Sequence, residues 1–355
     1  MARNMASKAS LWVATVACAG LLLAGCGSGD DADQVDAKSS AEGQSSEPVS
    51  LIFGTGGTSG SYYPIGGALK RVFEQSEQIA GVQVVSTGAS VQNINNIEDG
   101  TNQMALVMSD VAYDAINGQG QFADRKADIQ TVAGLYPNVV QIVATANSGI
   151  DSVADMKGKR IGVGKVGSGV EQSAKKVLEA AGMTYDDLAR VSHTGYADSV
   201  TEMSNGNLDA AFFTSGVPNS SITGLMQNTD VNFVNVDGET AKKLLQDYPY
   251  YEKYEIPANA PERYDLDGAV NTVAIRNLLI VPASMSDQVT RELAKRFYEY
   301  LGTDKVSVGA LKQFDRERMD EDVVVPVAAG AQAFYDSISE GGDSGESEAS
   351  EDNAG

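Results

Sequence analysis

Gly54-Thr55-Gly56-Gly57-Thr58-Ser59-Gly60-Ser61-Tyr62-Tyr63-Pro64-Ile65-Gly66-Gly67 follows the apolar run from Val49 to Phe53 and opens an amphipathic stretch. The order is strand, glycine-rich turn, helix. Without Cβ atoms, Gly54, Gly56, Gly57 and Gly60 let the backbone approach a bound molecule, while Ser and Thr hydroxyls and free amides at the helix start supply donors. A plain βα turn needs only one or two glycines. The surplus suits a small anionic or polar ligand, and Ile65, Leu69, Val72 and Phe73 fall on one helical face that must be core.

Upstream, Arg3 and Lys8 precede an apolar run of 13 residues, Leu11 to Leu23, and then Leu23-Ala24-Gly25-Cys26. The run is shorter than the roughly 18 residues of a membrane-spanning helix, and charge before with small residues after is the order of an export signal. Residues 1–25 therefore read as a signal peptide. Leu23 to Cys26 resembles the lipobox of bacterial lipoproteins, which implies a lipid on Cys26 and an exported chain tied to the outer face of the cytoplasmic membrane. Of the 2 cysteines, Cys18 leaves with the signal, so neither an intrachain disulfide nor a Cys-rich metal site is expected. Residues 26–48 and 339–355 are rich in Asp, Glu, Ser and Gly and read as a flexible acidic tether and a disordered acidic tail.

Residues 49–338 remain, more than one core usually serves, so two domains are expected. The net charge of −22 argues against nucleic acid and anionic lipid as binding partners, without excluding an anionic ligand in a local pocket. Strand and helix patterns alternate: Val82 to Ser86 then Val91 to Ile97, and Met104 to Met108 then Asp110 to Ile116. That rhythm predicts an α/β fold with a parallel sheet covered by helices. After a strand from Val139 to Thr145 it resumes, with strands at Arg160 to Val163, Arg190 to His193, Ala210 to Phe213 and Val231 to Val236. Helices are expected near 169–181, 199–205, 218–226 and 239–246. Residues 248–261, with their aromatics and prolines, look irregular, and a long strand from Val270 to Val281 returns to the first part. The expected domains are 49–143 with 270–338, and 144–269, joined by a hinge of two chain crossings.

Ligands in open α/β sheets sit beyond the carboxyl ends of strands, where helix N-termini point. Four loops meet that description: the opening turn, Ser86 to Asn93, Gly164 to Glu171, and Phe213 to Asn219. Two come from each expected domain. Enzyme signatures do not hold. Gly162-Val163-Gly164-Lys165-Val166-Gly167 spells a dinucleotide fingerprint, but the next strand ends in Thr194-Gly195 with no acid for a ribose, and neither Gly-Lys pair is followed by Ser or Thr. His193, the only histidine, lacks a nucleophile elbow and is too few for a zinc site. Asp186-Asp187 and Glu202 with Asp209 read as solvated surface carboxylates. No catalytic residues, cofactor or metal are expected.

Gly54 to Gly67, Thr87-Gly88-Ala89-Ser90-Val91-Gln92-Asn93, Ser109-Asp110-Val111-Ala112-Tyr113, Leu135-Tyr136-Pro137, Gly158 to Gly164 with Gly167-Ser168-Gly169, and Ala211-Phe212-Phe213 before Gly216-Val217-Pro218 resemble the TAXI-type extracytoplasmic solute-binding proteins of TRAP transporters. The resemblance spans nearly all of 49–338. It implies a two-domain periplasmic-binding-protein-like (Venus-flytrap) fold, a monomer that captures glutamate, glutamine or a related carboxylate or amino acid and delivers it to an ion-driven TRAP membrane subunit. Ligand contacts are then expected from Gly56, Gly57, Ser61, Tyr62 and Tyr63; from Thr87, Ser90 and Asn93; from Tyr136; from Ser168, Gly169 and Glu171; and from Ser215, Gly216 and Val217. Arg276, in the returning strand, reads either as a partner for a ligand carboxylate or as half of a structural ion pair. An exported sensory binding module or an exported enzyme on the same fold are the other readings of the residues.

Overall fold

The computed structural model describes residues 47–312 and 314–343. The expected signal peptide, the Cys26 anchor, the tether as far as residue 46 and residues 344–355 of the expected tail lie outside them, whereas 339–343, also expected in the tail, are helical. Among the described residues no helix is long and apolar enough to cross a membrane.

The first alternating series is β1 (Val49–Gly54), α1 (Tyr62–Phe73), β2 (Ile79–Val85), α2 (Ser90–Glu98), β3 (Met104–Met108) and α3 (Ser109–Asn117). The second follows β4 (Ile129–Thr145): β5 (Arg160–Gly162), α4 (Gly169–Ala180), β6 (Arg190–Ser192), α5 (Tyr196–Ser204), β7 (Ala210–Ser215), α6 (Ser220–Met226), β8 (Val231–Val234) and α7 (Gly238–Asp247). The chain then forms β9 (Tyr251–Ile256) and β10 (Val270–Pro282), and ends in α8 (Asp287–Leu301), the single turn α9 (Gly309–Lys312) and α10 (Ala329–Asp343). The fold is α/β. Eight strands run in the order β2-β1-β3-β10-β4-β7-β5-β6, with β8 also paired to β4 and β9 to β10. The pairs β1–β2, β1–β3, β5–β7 and β5–β6 are parallel, as expected of strands joined through helices, whereas β4 and β10 run antiparallel to their neighbours.

Those two antiparallel strands serve both series. Residues 129–139 of β4 pair with 274–282 of β10; farther along, β4 turns to β7 and β8, and the other end of β10 turns to β9. Two expectations are corrected here. β4 begins ten residues before Val139, because Pro137 falls where the β4–β10 register shifts between Arg276 and Leu278, so its missing N–H does not stop the strand. Residues 251–256, expected to be irregular, form β9, since Tyr251 and Ile256 are buried and the next strand, β10, returns after residues 257–269 to supply the ladder.

Each series buries its own faces. Phe53, Ile65, Leu69 and Phe73 pack with Leu293 and Phe297 of α8, while Ile94, Val107 and Val111 pack on the other side of β3 and β10. In the second series Ile161, Val177, Leu178 and Phe212 form one cluster, and Phe213, Met203 and Ile222 another. Full burial of a Phe or Leu side chain contributes roughly 1.5–3 kcal/mol, and the fully buried Phe53, Phe73, Phe212, Phe213 and Phe297 span all but one of these clusters.

Asp209 is not the solvated carboxylate expected. Its carboxylate accepts from the Arg160 backbone amide at 2.8 Å and from the guanidinium at 3.1 and 2.5 Å, tying β5 to the turn before β7, and the Arg160 hydrogen bond holds its pKa below the ordinary range. A carboxyl depressed on folding adds stability above its unfolded pKa of about 3.9 and loses it as pH falls through the lower folded value. Asp209→Asn is expected to cost about 1 kcal/mol at pH 7, Arg160 being partly exposed. The gap to wild type should shrink as urea denaturation is repeated from pH 5 down to 3.

Candidate ligand-binding site

The carboxyl ends of β1, β2, β3, β6 and β7 open onto a cavity of about 310 Å³. Its walls are loop residues at helix starts. From the first series come Gly56, Gly57, Ser61 and Tyr62 before and in α1, with Thr87 and Ser90 at α2. From the second come Ser168 and Gly169 at α4, and Ser215 at the end of β7; Tyr136 of β4 lies between. Ser61 occupies the N-cap position of α1 with no side-chain cap bond, whereas the Ser168 hydroxyl accepts from the Glu171 amide at 3.1 Å and caps α4. Helix N-termini from both series thus converge on one space, each carrying unsatisfied amides and a favourable potential for negative charge.

The backbone at these loops is specialised. Gly164 and Gly167 have φ of +89° and +73°, which only glycine adopts without strain, so the apparent dinucleotide fingerprint is the turn that aims α4 at the cavity. A Cβ on Gly169 would lie 1.9 Å from Met108 Cε and 2.8 Å from Ser90 Oγ, so this glycine lets α4 touch the starts of α2 and α3. Ala89 holds φ +74° with ψ −143°, stabilised by its amide donating to Thr87 Oγ1 at 3.0 Å. Strain of order 1–3 kcal/mol at a non-glycine residue is the kind retained at binding sites.

The floor is polar and unsatisfied. The Tyr136 hydroxyl, Asn138 Oδ1 and Thr214 Oγ1 are buried without a hydrogen-bond partner among the described residues, and each of the three residues is 3% exposed. Leaving such a group unpaired costs roughly 1–3 kcal/mol. The Ser61 hydroxyl is near enough to Tyr136 to temper the upward push of burial on its pKa, but is not aligned to satisfy it. Tyr62 donates to Asn277 Oδ1 at 2.5 Å, and Asn277 Nδ2 donates to the Tyr136 backbone carbonyl at 2.8 Å, which fixes the Tyr62 ring and ties it to the β4 backbone. Burial also raises the pKa of Tyr62 and of Tyr196, so these phenols stay neutral. Of the residues lining the cavity only Lys165 and Asp198 carry formal charge, and both are exposed.

Several expected contacts are corrected. Tyr63 is exposed and absent from the cavity wall. Asn93 is fully buried and structural: its amide donates to the Thr55 and Leu106 carbonyls at 2.6 and 2.8 Å, and its Oδ1 accepts from Thr87 at 2.7 Å. Glu171 turns away to accept from the Gly167 amide at 2.8 Å and to meet His193 Nδ1 at 3.1 Å, so it braces the loop rather than lining the space. Gly216 is needed because a Cβ there would sit 3.2 Å from the Tyr136 ring and 2.9 Å from Ala310, and Val217 is buried in the core behind β7. Arg276 does not line the cavity, and its guanidinium forms no ion pair among the described residues. Its guanidinium donates to the backbone carbonyls of Arg318 and Glu321 and lies over Phe314.

A fifth loop, not among the four expected, also lines the cavity. Thr194, Gly195, Tyr196 and Asp198 line the cavity at the start of α5, and the Tyr196 hydroxyl donates to the Thr214 carbonyl at 2.8 Å while accepting from its amide at 3.2 Å. The signal is a strand, a turn that joins glycine with a hydroxyl residue, and a helix start, as in the other four loops.

Residues 53–338 match the NMT1-like family, and the chain belongs to it. Among solved structures it is similar to the alkanesulfonate-binding protein SsuA from Xanthomonas axonopodis pv. citri bound to MOPS, at 15% identity and a TM-score of 0.48, covering 82% of this chain and 84% of that one. CAE31940 from Bordetella bronchiseptica RB50 gives 15% and 0.49, covering 83% and 82%. A nutrient binding protein from Burkholderia cenocepacia bound to methionine gives 16% and 0.41, covering 70% and 91%.

Proposed function

We propose that the chain is the solute-binding lipoprotein of a TRAP-type secondary transporter, exported and anchored through Cys26, which captures a small carboxylate such as glutamate or glutamine between two lobes and passes it to a membrane permease. The lobes are residues 49–143 with 270–338, and residues 144–269. The observation that carries the reading is the cavity itself, walled by helix starts from both series and floored by Tyr136, Asn138 and Thr214, whose buried polar atoms lack partners. Neutral donors and helix N-termini can hold a carboxylate without a buried cation. The cavity offers little for catalysis: its charged groups are at the rim, and His193, bound to Glu171, does not line it.

Closure follows if the ligand touches both lobes, because a ligand shifts an equilibrium by its differential affinity for the two states. A thermal-shift panel of amino acids and dicarboxylates should raise the melting temperature with at least one compound. Small-angle scattering at saturation with that compound should then give a smaller radius of gyration than the free protein. Stoichiometric binding with no change in radius would count against two moving lobes; turnover of the bound compound would count against a transport role.

A further inference from the structure

Beside the cavity, α3 from the first series lies against α4 from the second, and what joins them is a lysine between two carboxylates. Lys176 Nζ lies 3.0 Å from Asp110 Oδ2 and 3.2 Å from Asp114 Oδ2. Tyr251 donates to Asp110 Oδ2 at 3.4 Å and lies 3.3 Å from Ser173 Oγ. The ammonium also sits 5.3 Å from the Tyr248 ring and 5.1 Å from the Tyr250 ring, and Tyr250 packs on Tyr113 with ring centroids 5.4 Å apart. Lys176 is 7% exposed and Asp110 not at all. No member of this cluster lines the ligand cavity.

We propose that Lys176, with Asp110 and Asp114, is a reversible clasp that closes the two lobes over the cavity. The inference rests on the two-lobe reading above, but concerns a contact that touches no ligand. The other contacts across the cavity are the Val91 amide donating to the Gly167 carbonyl at 3.2 Å, the Ser221 hydroxyl donating to the Ser59 carbonyl at 3.3 Å, and the Met108 side chain, which packs on Gly169 and is buried in the second series' core. A contact that must come apart into water has to be wettable. Parting broad apolar faces exposes surface that water disfavours and would hold the molecule shut. A buried ion cluster is different, because the desolvation of its charges nearly cancels their attraction, so making and breaking it is close to neutral while only one placement of the partners satisfies it. Asp110 in the first turn of α3 gains from the helix dipole, and the rings of Tyr248 and Tyr250 offer their faces to the ammonium. Burial alone would lower the pKa of Lys176; Asp110, then Tyr251 and Asp114, outweigh it and the pKa is raised, so the lysine stays charged. Burial raises the pKa of Asp114.

Two variants separate a clasp from a merely structural ion pair, since they push the lobes in opposite directions. Lys176→Met leaves two carboxylates facing an apolar side chain across the α3–α4 contact; the ligand-free protein should melt cooperatively and show a larger radius of gyration by small-angle scattering than wild type, restored by Lys176→Arg. Lys176→Met with Asp110→Leu and Asp114→Leu makes the contact apolar; its radius should be no larger than wild type and should not change when 10 mM L-glutamate is added. Equal radii for wild type and Lys176→Met overturn the clasp, as does a triple variant more open than wild type. If Lys176→Met does not fold, the triple variant decides alone: compact and folded supports the clasp, expanded or unfolded overturns it. All decisive comparisons are made on ligand-free protein, so a panel that finds no amino-acid ligand sinks the transport reading without touching this one.

Discussion

Ser168→Asp is expected to abolish ligand binding while the protein melts like wild type. Ser168 lines the cavity and caps α4, and aspartate is as good a cap as serine and suits the helix dipole, so the fold loses nothing. In the cavity, however, the new carboxylate occupies the place proposed for the ligand's own. A desolvated like-charge contact costs several kcal/mol, and at 1.4 kcal/mol per factor of ten the loss should exceed about a hundredfold. Ser168→Ala should behave in the opposite sense, losing roughly 1 kcal/mol of stability with the cap and about tenfold in affinity with the hydroxyl. Calorimetry on both variants, with the compound that most stabilises wild type, separates the two effects. Binding by Ser168→Asp within a factor of about three of wild type would remove the carboxylate from the start of α4 and make Lys165 at the rim the next candidate; Arg276 is no longer one, being committed to the Arg318 and Glu321 carbonyls.

The largest expected loss of stability is remote from the cavity. A Cβ on Gly330 would lie 1.8 Å from the Asp287 carbonyl oxygen and 2.6 Å from its carbon, where α10 crosses α8. The obstacle is backbone, which cannot rotate aside as a side chain can, so α10 must lift from α8 and disturb the packing of Phe334 and Tyr335 against the first core. Overpacking of this kind costs about 3 kcal/mol. Gly330→Ala should therefore lower the urea midpoint sharply, whereas Gly309→Ala, with nothing within 4 Å of the added carbon, should leave it nearly unchanged. A midpoint for Gly330→Ala equal to wild type would mean that the α8–α10 crossing is looser than its geometry indicates.

Local chemistry made much of the site legible. The glycine-rich turn, Thr87 with Ser90, and Ser168 with Gly169 could be placed at helix starts because glycine, hydroxyl and helix period occur together within a few residues. Side-chain direction was not legible. Asn93 and Glu171 lie in the first turns of their helices and brace the loops, Asn93 through the Thr55 and Leu106 carbonyls that reach it only after folding, Glu171 through the Gly167 amide of its own loop and through His193. Tyr196 is not legible as a contact, because Thr194-Gly195 reads in sequence as no more than a strand end, and the ring reaches the cavity only through its hydrogen bonds to the Thr214 backbone.

The chain by itself determined the alternation of strand and helix, and with it the α/β class, because hydrophobic period and glycine placement are properties of short segments. Only the tertiary structure decided where β4 starts, that 251–256 is a strand, and that Arg276 spends its charge on backbone carbonyls. Each of these depends on a partner outside the segment itself: β10 for the first two, and the turn near 318–321 for the third. The same holds for the pairing of Lys176 with Asp110, 66 residues apart. A buried charge is tolerable only beside its counter-charge, and which counter-charge it meets is settled when α3 and α4 are laid side by side.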